Sequence, residues 1–168
     1  MGYNTVAITL GSTGRGSWNS QDGGESWSLE QRRCFMPPES PICRALTPHP
    51  SEPHTIYAGL NNGLWRSQEA ARTKSGWEKM STPPFDLNTW CIAIDPINPE
   101  TIFLGTSPAA IYRSRDGGYR FENLIVPNIV SWCETGTVRV VKIVIDPDNP
   151  RNIFAGLEVD GVRRSLDG

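Results

Sequence analysis

Acidic, basic and aromatic side chains recur in the polar segments between the apolar runs of this chain. Two carboxylates flanking a glycosidic bond, roughly 5 to 10 Å apart, would serve as the acid and base of its hydrolysis. Arginines beside tryptophans would instead bind a ligand without turning it over. Eight residues are candidates for one or the other chemistry: Arg15, Asp86, Trp90, Trp132, Glu134, Arg139, Glu158 and Asp160. For any single one of them an ordinary solvated loop residue is the favoured interpretation, and the strands and loops that position the side chains decide whether they form a site.

Motifs of several other chemistries are missing from the sequence. It contains no Gly-rich phosphate loop, no G-x-S-x-G nucleophile turn and no H-E-x-x-H zinc helix. The four cysteines, Cys34, Cys43, Cys91 and Cys133, show no C-x-x-C spacing, which argues against zinc. Cys34 and Cys43 could pair in an exported protein, but free thiols are favoured. We therefore expect no cofactor and no metal.

Composition narrows the class of protein. The 16 Lys and Arg residues against 18 Asp and Glu give a net charge of −2, which argues against a nucleic-acid partner. No apolar run approaches the roughly 18 residues of a membrane span, so no membrane partner is expected. The N-terminus lacks the basic region and cleavage site of a secretory signal, which predicts a cytoplasmic location. The 16 glycines and 14 prolines indicate a chain that turns often.

The elements that carry the candidates are repeated along the chain. An Ile-aromatic-small-Gly segment occurs three times, each time after a pair of prolines and an apolar run: Ile56–Leu60, Ile102–Thr106 and Ile153–Leu157. The serines that follow, Ser67, Ser114 and Ser165, together with Ser20 of a partial first copy, are separated by 47, 47 and 51 residues. A unit of this length with four short strands is typical of a β-propeller blade. A β-sandwich would not explain the recurrence.

The repeats predict an all-β chain, a β-propeller of four-stranded antiparallel blades. The expected divisions of this single domain, residues 1–168, are part of blade 1 in 1–31, blade 2 at about 41–81, blade 3 at about 90–126 and part of blade 4 at about 138–168. About 3.5 blades are fewer than the 4 to 8 of typical propellers. Such a ring is incomplete, so self-association or a missing C-terminal half would be needed to close it.

A turn motif follows the third strand of each unit. The full pattern is S-x-D-x-G-x-x-W, in which Asp accepts backbone N–H groups, Gly adopts positive φ and the aromatic packs between blades. The second copy is degraded, with Glu69 for Asp and three inserted residues. The motif residues are Ser20, Asp22, Gly24 and Trp27, then Ser67 and Trp77, then Ser114, Asp116, Gly118 and Phe121, and finally Ser165 and Asp167. We interpret them as structural rather than catalytic.

These turns resemble the Asp-box repeats, also called BNR or sialidase-type repeats, of a family of β-propellers. The resemblance covers nearly the whole chain and implies the fold more strongly than the function. Similar propellers occur in sialidases, xyloglucan-cleaving hydrolases, sortilin-type receptors and a photosystem assembly factor. In sialidase-like propellers the active site lies on the face opposite the Asp boxes. That face would hold the loops between second and third strands and the segments between blades, where the eight candidates occur.

Two functions remain open from the sequence. The favoured one is a non-catalytic binding or scaffold module that holds a protein or carbohydrate ligand on the loop face. The alternative is an Asp-box glycoside hydrolase, sialidase-like or xyloglucanase-like, whose other site residues lie beyond residue 168. The chain has no Phe/Tyr-Arg-Ile-Pro element and no assignable tyrosine nucleophile, which argues against sialidase activity.

Overall fold

The structure, a computed structural model, describes residues 8–12, 16–20, 22–29, 42–69, 76–80, 87–130, 132–134 and 136–168. These residues form β-strands and turns. The strands are β1 (Ile8–Ser12), β2 (Gly16–Ser20), β3 (Ser28–Leu29), β4 (Cys43–Pro48), β5 (Ile56–Leu60), β6 (Gly63–Ser67), β7 (Trp77–Lys79), β8 (Asn88–Ile94), β9 (Ile102–Ser107), β10 (Ile111–Ser114), β11 (Glu122–Leu124), β12 (Trp132–Cys133), β13 (Gly136–Thr137), β14 (Val140–Ile145), β15 (Ile153–Leu157) and β16 (Gly161–Ser165). Within these ranges no helix has the length and apolar character needed to cross a bilayer.

The strands form four antiparallel sheets in chain order, and one small hairpin. Sheet 1 contains β1 to β3, sheet 2 contains β4 to β7, sheet 3 contains β8 to β11 and sheet 4 contains β14 to β16. The first strands of sheets 2, 3 and 4 lie side by side, because β8 packs against both β4 and β14. The hairpin of β12 and β13 lies between sheets 3 and 4 in the chain. The prediction of an all-β partial propeller is confirmed.

The same register recurs in every sheet. The isoleucine of one strand lies opposite the serine of the next, in the second and third strands of sheets 2 to 4 and in β1 and β2 of sheet 1. These pairs are Ile8 with Ser20, Ile56 with Ser67, Ile102 with Ser114 and Ile153 with Ser165. Each residue of one sheet therefore has a definite counterpart in the others.

A β-bulge interrupts the pairing of the first and second strands at one equivalent position in three sheets. The register shifts between Cys43 and Ala45 in sheet 2 and between Thr89 and Cys91 in sheet 3. It shifts again after Val140 in sheet 4. The extra residues are Arg44, Trp90 and Val141. A bulge turns the side chain of its extra residue away from the regular alternation.

Apolar side chains fill the spaces between successive sheets. The cluster between sheets 2 and 3 includes Tyr57, Leu64, Ile92 and Ile102, all buried. The cluster between sheets 3 and 4 includes Phe103, Ile111, Val140 and Ile153. A third cluster, around Trp65 and Trp77, lies on the face of sheet 2 that turns away from sheet 3. Burial of these side chains holds the sheets together.

Glycines allow the sheets to approach closely. A Cβ atom on Gly59 would lie 2.8 Å from the backbone oxygen of Thr89 in sheet 3. A Cβ atom on Gly105 would lie 2.7 Å from Cγ1 of Val140 in sheet 4. The Ile-aromatic-small-Gly segment therefore has glycine at this position because a side chain there would occupy the space of the next sheet.

Each end sheet leaves one apolar face uncovered in the described residues. Trp27, which we expected between blades, is 39% exposed, because no described sheet precedes the one that carries it. Its counterpart Trp77 is buried. At the other end of the arc, Phe154 and Val162 are exposed although their counterparts in sheet 3, Phe103 and Ile111, are buried. Whether these apolar side chains are buried therefore depends on the position of their sheet in the arc rather than on the residue type.

Candidate ligand-binding site

The serine-aspartate-glycine turns are closed by their own hydrogen bonds. The Ser20 hydroxyl donates to Asp22 Oδ1 over 2.7 Å, and the Gly24 N–H donates to Ser20 Oγ over 2.8 Å. The Ser26 N–H donates to Asp22 Oδ1 over 2.9 Å. Hydrogen bonds from the Ser26 hydroxyl and N–H lower the pKa of Asp22. This carboxylate is fully used in fastening the turn.

The same bonds recur in later copies of the turn. Ser114 Oγ donates to Asp116 Oδ1 over 2.8 Å and accepts the Gly118 N–H over 2.9 Å. Partial burial raises the pKa of Asp116, but hydrogen bonds from the Arg120 N–H and the Ser114 hydroxyl outweigh it, and the pKa is lowered. Ser165 and Asp167 make the equivalent bond over 2.7 Å. These aspartates are engaged in holding turns rather than facing a ligand.

The turns and the other connections lie at opposite ends of the strands. The Gly117 N–H, in the turn after β10, donates to the backbone oxygen of Glu100, in the proline turn between β8 and β9. At the other end of the strands, the Glu158 N–H, in the turn after β15, donates to the backbone oxygen of Arg139, just before β14. The bulges of β4, β8 and β14 lie at this second end. We call it the bulge edge.

The most unusual group on the bulge edge is a stack of three side chains from three sheets. Arg44 and Trp90 are the bulge residues of sheets 2 and 3, and Arg139 precedes the first strand of sheet 4. The guanidinium carbons of Arg44 and Arg139 lie 4.3 and 4.4 Å from the Trp90 ring centroid. Both distances are within the range of a cation–π interaction, so the indole lies between two positive charges.

Buried polar atoms without a partner collect at this stack. Among the described residues, the buried side-chain atoms that make no hydrogen bond include Arg44 Nε, Trp90 Nε1 and Asn88 Oδ1. Two of these atoms are donors and one is an acceptor. Buried polar atoms are nearly always paired in folded proteins, because an unmade hydrogen bond costs about 1–3 kcal/mol. Two of these atoms, Arg44 Nε and Trp90 Nε1, belong to the stack itself, and a polar ligand with acceptor oxygens could satisfy both.

The charge at the stack is only partly balanced. Arg139 Nη1 lies 3.2 Å from Glu158 Oε1, and the side chains of both are more than a third exposed. An ion pair of this exposure contributes at most about 1 kcal/mol, so a ligand carboxylate could displace Glu158 at small cost. Arg44 makes no ion pair with a described residue, and the three charged side chains together carry one net positive charge. The stack therefore favours an anionic group.

The structure brings three of the eight sequence candidates together, namely Trp90, Arg139 and Glu158. Asp160 lies in the same turn as Glu158, where it accepts the Arg163 guanidinium over 2.8 Å. Trp132 and Glu134 are exposed on and beside the β12–β13 hairpin. Arg15 and Asp86 lie outside the described residues.

Sequence reasoning missed Arg44 and Asn88. Arg44 lies in the apolar run that precedes the first pair of prolines, and Asn88 begins the corresponding strand of sheet 3. A signal was present, since aligning the repeats on the isoleucines Ile56 and Ile102 places Arg44 and Trp90 at the same position. Without the pairing register of the strands, the sequence predicts a regular strand residue at that position instead of a bulge.

Comparisons with known proteins establish the fold. No protein-family model matches the chain, and no curated protein matches it. An ancestral GH74 enzyme matches 96% of the chain at 18% identity with a TM-score of 0.76, over 21% of its own length. YCF48 from Cyanidioschyzon merolae matches 93% at 15% identity and a TM-score of 0.67, over 45% of its length. PorZ, a surface component of the type-IX secretion system of Porphyromonas gingivalis, matches 95% at 16% identity and a TM-score of 0.65, over 24% of its length.

These proteins have different roles and share an architecture with this chain at low identity, so the likeness concerns the fold. The chain spans between about a fifth and less than half of the length of each of them. The described residues are thus an arc of a β-propeller.

Proposed function

We propose that the chain belongs to a non-catalytic binding module that holds a carboxylate-bearing segment of a protein at the Arg44–Trp90–Arg139 stack. The observation that carries the proposal is the set of unpaired buried polar atoms on an indole between two guanidinium groups. Guanidinium groups present paired N–H donors that match the two oxygens of a carboxylate. Occupying the stack would satisfy donors that are otherwise buried at a cost.

The stack favours a carboxylate over a neutral sugar. Sugar rings bind tryptophan through the flat faces of the indole, but Arg44 and Arg139 already cover the Trp90 ring. Trp132 offers an exposed ring on the neighbouring hairpin and would supply a second contact for a bound segment. We therefore assign the anionic end of the ligand to the stack. A carboxylated glycan is the competing ligand with the same chemistry.

The proposal is tested by titrating the chain with acidic peptides and with a uronic-acid oligosaccharide, following Trp fluorescence and calorimetry. Each of Arg44→Ala and Arg139→Ala should weaken peptide binding about 10- to 150-fold, since a hydrogen bond to a charged group contributes about 1.5–3 kcal/mol. Arg151→Ala, in the exposed turn between β14 and β15, is the matched control and should bind as the wild type does. Equal affinities of all three variants would reject the site.

A glycoside hydrolase is the second candidate, supported by the likeness to a GH74 enzyme. For this function two carboxylates must face one glycosidic bond, and Glu134, Glu158 and Asp160 are the candidates among the described residues. Xyloglucan and related glucans would be turned over, and Glu134→Gln or Glu158→Gln would reduce the rate by orders of magnitude. Absence of turnover across a broad glycoside panel, together with peptide binding, would favour the binding module.

We also propose that the serine-aspartate-glycine turns are Asp-box repeats. The hydrogen bonds at Ser20 and Asp22 recur at Ser114 and Asp116, as expected of one repeated structural motif. A Ser114→Ala variant would then lose stability without losing ligand affinity.

A further inference from the structure

A carboxylate of the chain itself lies at the stack on the bulge edge. Val140 pairs with Leu157 across β14 and β15, and Arg139 and Glu158 face each other one residue beyond this pair. The Glu158 N–H donates to the Arg139 backbone oxygen over 2.9 Å, and Glu158 Oε1 lies 3.2 Å from Arg139 Nη1. Both residues belong to sheet 4, so the contact forms without any neighbouring sheet. Glu158 therefore holds a carboxylate where the proposed ligand would place its own.

The equivalent positions of sheets 2 and 3 carry no charge. In sheet 3 the corresponding pair is Asn88 and Ser107. In sheet 2, where Cys43 pairs with Leu60, the residue that corresponds to Glu158 is Asn61. Pairing of the first and second strands thus does not require an ion pair at this place. The carboxylate occurs only in the sheet that supplies an arginine to the stack.

Arg139 is oriented by more than its ion pair. Its guanidinium carbon lies 4.4 Å from the centroid of the Trp90 ring, which holds it on one face of the indole. The ion pair with Glu158 is more than a third exposed on both sides, so it contributes little to folding stability. Its main effect is to occupy a guanidinium group that a bound carboxylate would need.

The turn that presents Glu158 is strained. Val159, the next residue, has a φ of 73°, a region that β-branched residues rarely adopt because of clashes between Cβ and the backbone. Its side chain is 73% exposed, so packing does not hold it there. Asp160 fixes the other side of the turn, because its carboxylate accepts the Arg163 guanidinium over 2.8 Å. Backbone strain of this kind is concentrated at ligand clamps and switch regions.

The exposure of this turn is not a consequence of its place in the last sheet. The register aligns Val159 with Pro108, in the turn between β9 and β10 of sheet 3. Sheet 3 has a described sheet on either side, and Pro108 is exposed as well. An exposed turn is therefore a regular feature of the bulge edge, whereas the strained valine is particular to sheet 4.

We propose that Glu158 is a built-in competitor that lowers the affinity of the stack for the carboxylate of its ligand. The ligand carboxylate takes the place of Glu158 on Arg139, and the turn at Val159 then leaves its strained conformation. This inference rests on the proposed function, because it concerns regulation of the same site. The affinity observed for a ligand is the intrinsic affinity reduced by the fraction of molecules in which Glu158 occupies Arg139.

The test measures binding of an acetylated and amidated triglutamate peptide by calorimetry. Glu158→Gln removes the competing charge and should raise the affinity about two- to fivefold, since an exposed ion pair is worth at most a factor of about five. Val159→Asn should lower the affinity about twofold or more, because asparagine adopts positive φ more readily and keeps Glu158 on Arg139. In the double variant the effect of Val159→Asn should disappear, because the turn then carries no competing charge.

Asp148→Asn, in the exposed turn at the opposite end of sheet 4, is the matched control for loss of one negative charge and should bind as the wild type does. An equal gain in this control, or a Glu158→Gln protein that binds no better than the wild type, would overturn the competitor role and leave the proposed function standing. Additive effects in the double variant, or wild-type affinity of Val159→Asn, would overturn the part assigned to the strained turn. If neither the wild type nor Glu158→Gln binds the peptide, the proposed function fails and this inference fails with it.

Discussion

Close approach of successive sheets predicts a large difference between two chemically identical substitutions. Gly105 and Gly156 occupy the same position of sheets 3 and 4, as their pairing with Ile111 and Val162 shows. Neither has the positive φ that would strain an alanine. A Cβ atom on Gly105 would lie 2.5 Å from Cys91 Sγ and 2.7 Å from Val140 Cγ1. On Gly156 its nearest neighbour would be 3.8 Å away.

The expected cost follows from these distances. Non-bonded carbon atoms pack at about 3.5–4.0 Å, so the Cβ of Gly105→Ala needs about 1 Å more room than the sheets leave. Overpacking a core costs about 1–3 kcal/mol, and clashes with two neighbours at once place this variant near the upper value. At about 2–4 °C per kcal/mol for a chain of this size, Tm should fall by about 6–12 °C. Gly156→Ala should leave Tm unchanged or raise it, because alanine restricts the unfolded chain.

Circular dichroism melts and urea titrations of the two variants beside the wild type provide the measurement. The difference between the variants matters more than either value, because both make the same change in the unfolded state. A Gly105→Ala protein that melts within about 1 °C of the wild type would refute the close packing of sheets 3 and 4. An equal loss in Gly156→Ala would refute the assignment of the fourth sheet as the uncovered end of the arc.

Acid and thiol chemistry provide two further tests. The pKa of Asp116 is lowered in the folded protein, so the stability that this carboxylate contributes is complete above its ordinary pKa of 3.8 and is lost as pH falls through the folded value. Asp116→Asn should therefore reduce the acid-dependent loss of unfolding free energy, measured by urea titration. An unchanged pH dependence would contradict this. Burial raises the pKa of Cys43 to about 12 and of Cys91 to about 11. In a Cys34→Ser protein at pH 8 the half-buried Cys133 should therefore react first with a thiol reagent, as followed by mass spectrometry. Equally fast labelling of all three cysteines would contradict the burial of Cys43 and Cys91.

The sequence repeats were sufficient to predict the architecture. The candidate site could be recognised only from the pairing register of the strands. Recurrence of Ile-aromatic-small-Gly and of Ser-x-Asp identifies the strand order, because each sheet must meet the same packing requirement on both faces. Arg44 was not predicted, since periodicity alone reads it as one more residue of a buried strand. Only the bulge turns it toward Trp90, and only the spacing of sheets 2, 3 and 4 brings Arg139 to the other side of the ring. The burial of Trp27 depends in the same way on its sheet, not on its motif.

Comparison among equivalent positions separates the residues that hold the arc together from those that bind. Positions that every sheet needs to close its turns carry the same residue, as the serines opposite isoleucine do throughout. The bulge positions have the same backbone and three different side chains, Arg44, Trp90 and Val141. Packing between sheets cannot demand three such different groups at one position. A ligand that contacts several sheets at once can require a different side chain from each sheet, because each sheet meets a different part of the ligand surface. The divergence at the bulges therefore supports a binding role for this edge independently of the unpaired atoms around Trp90.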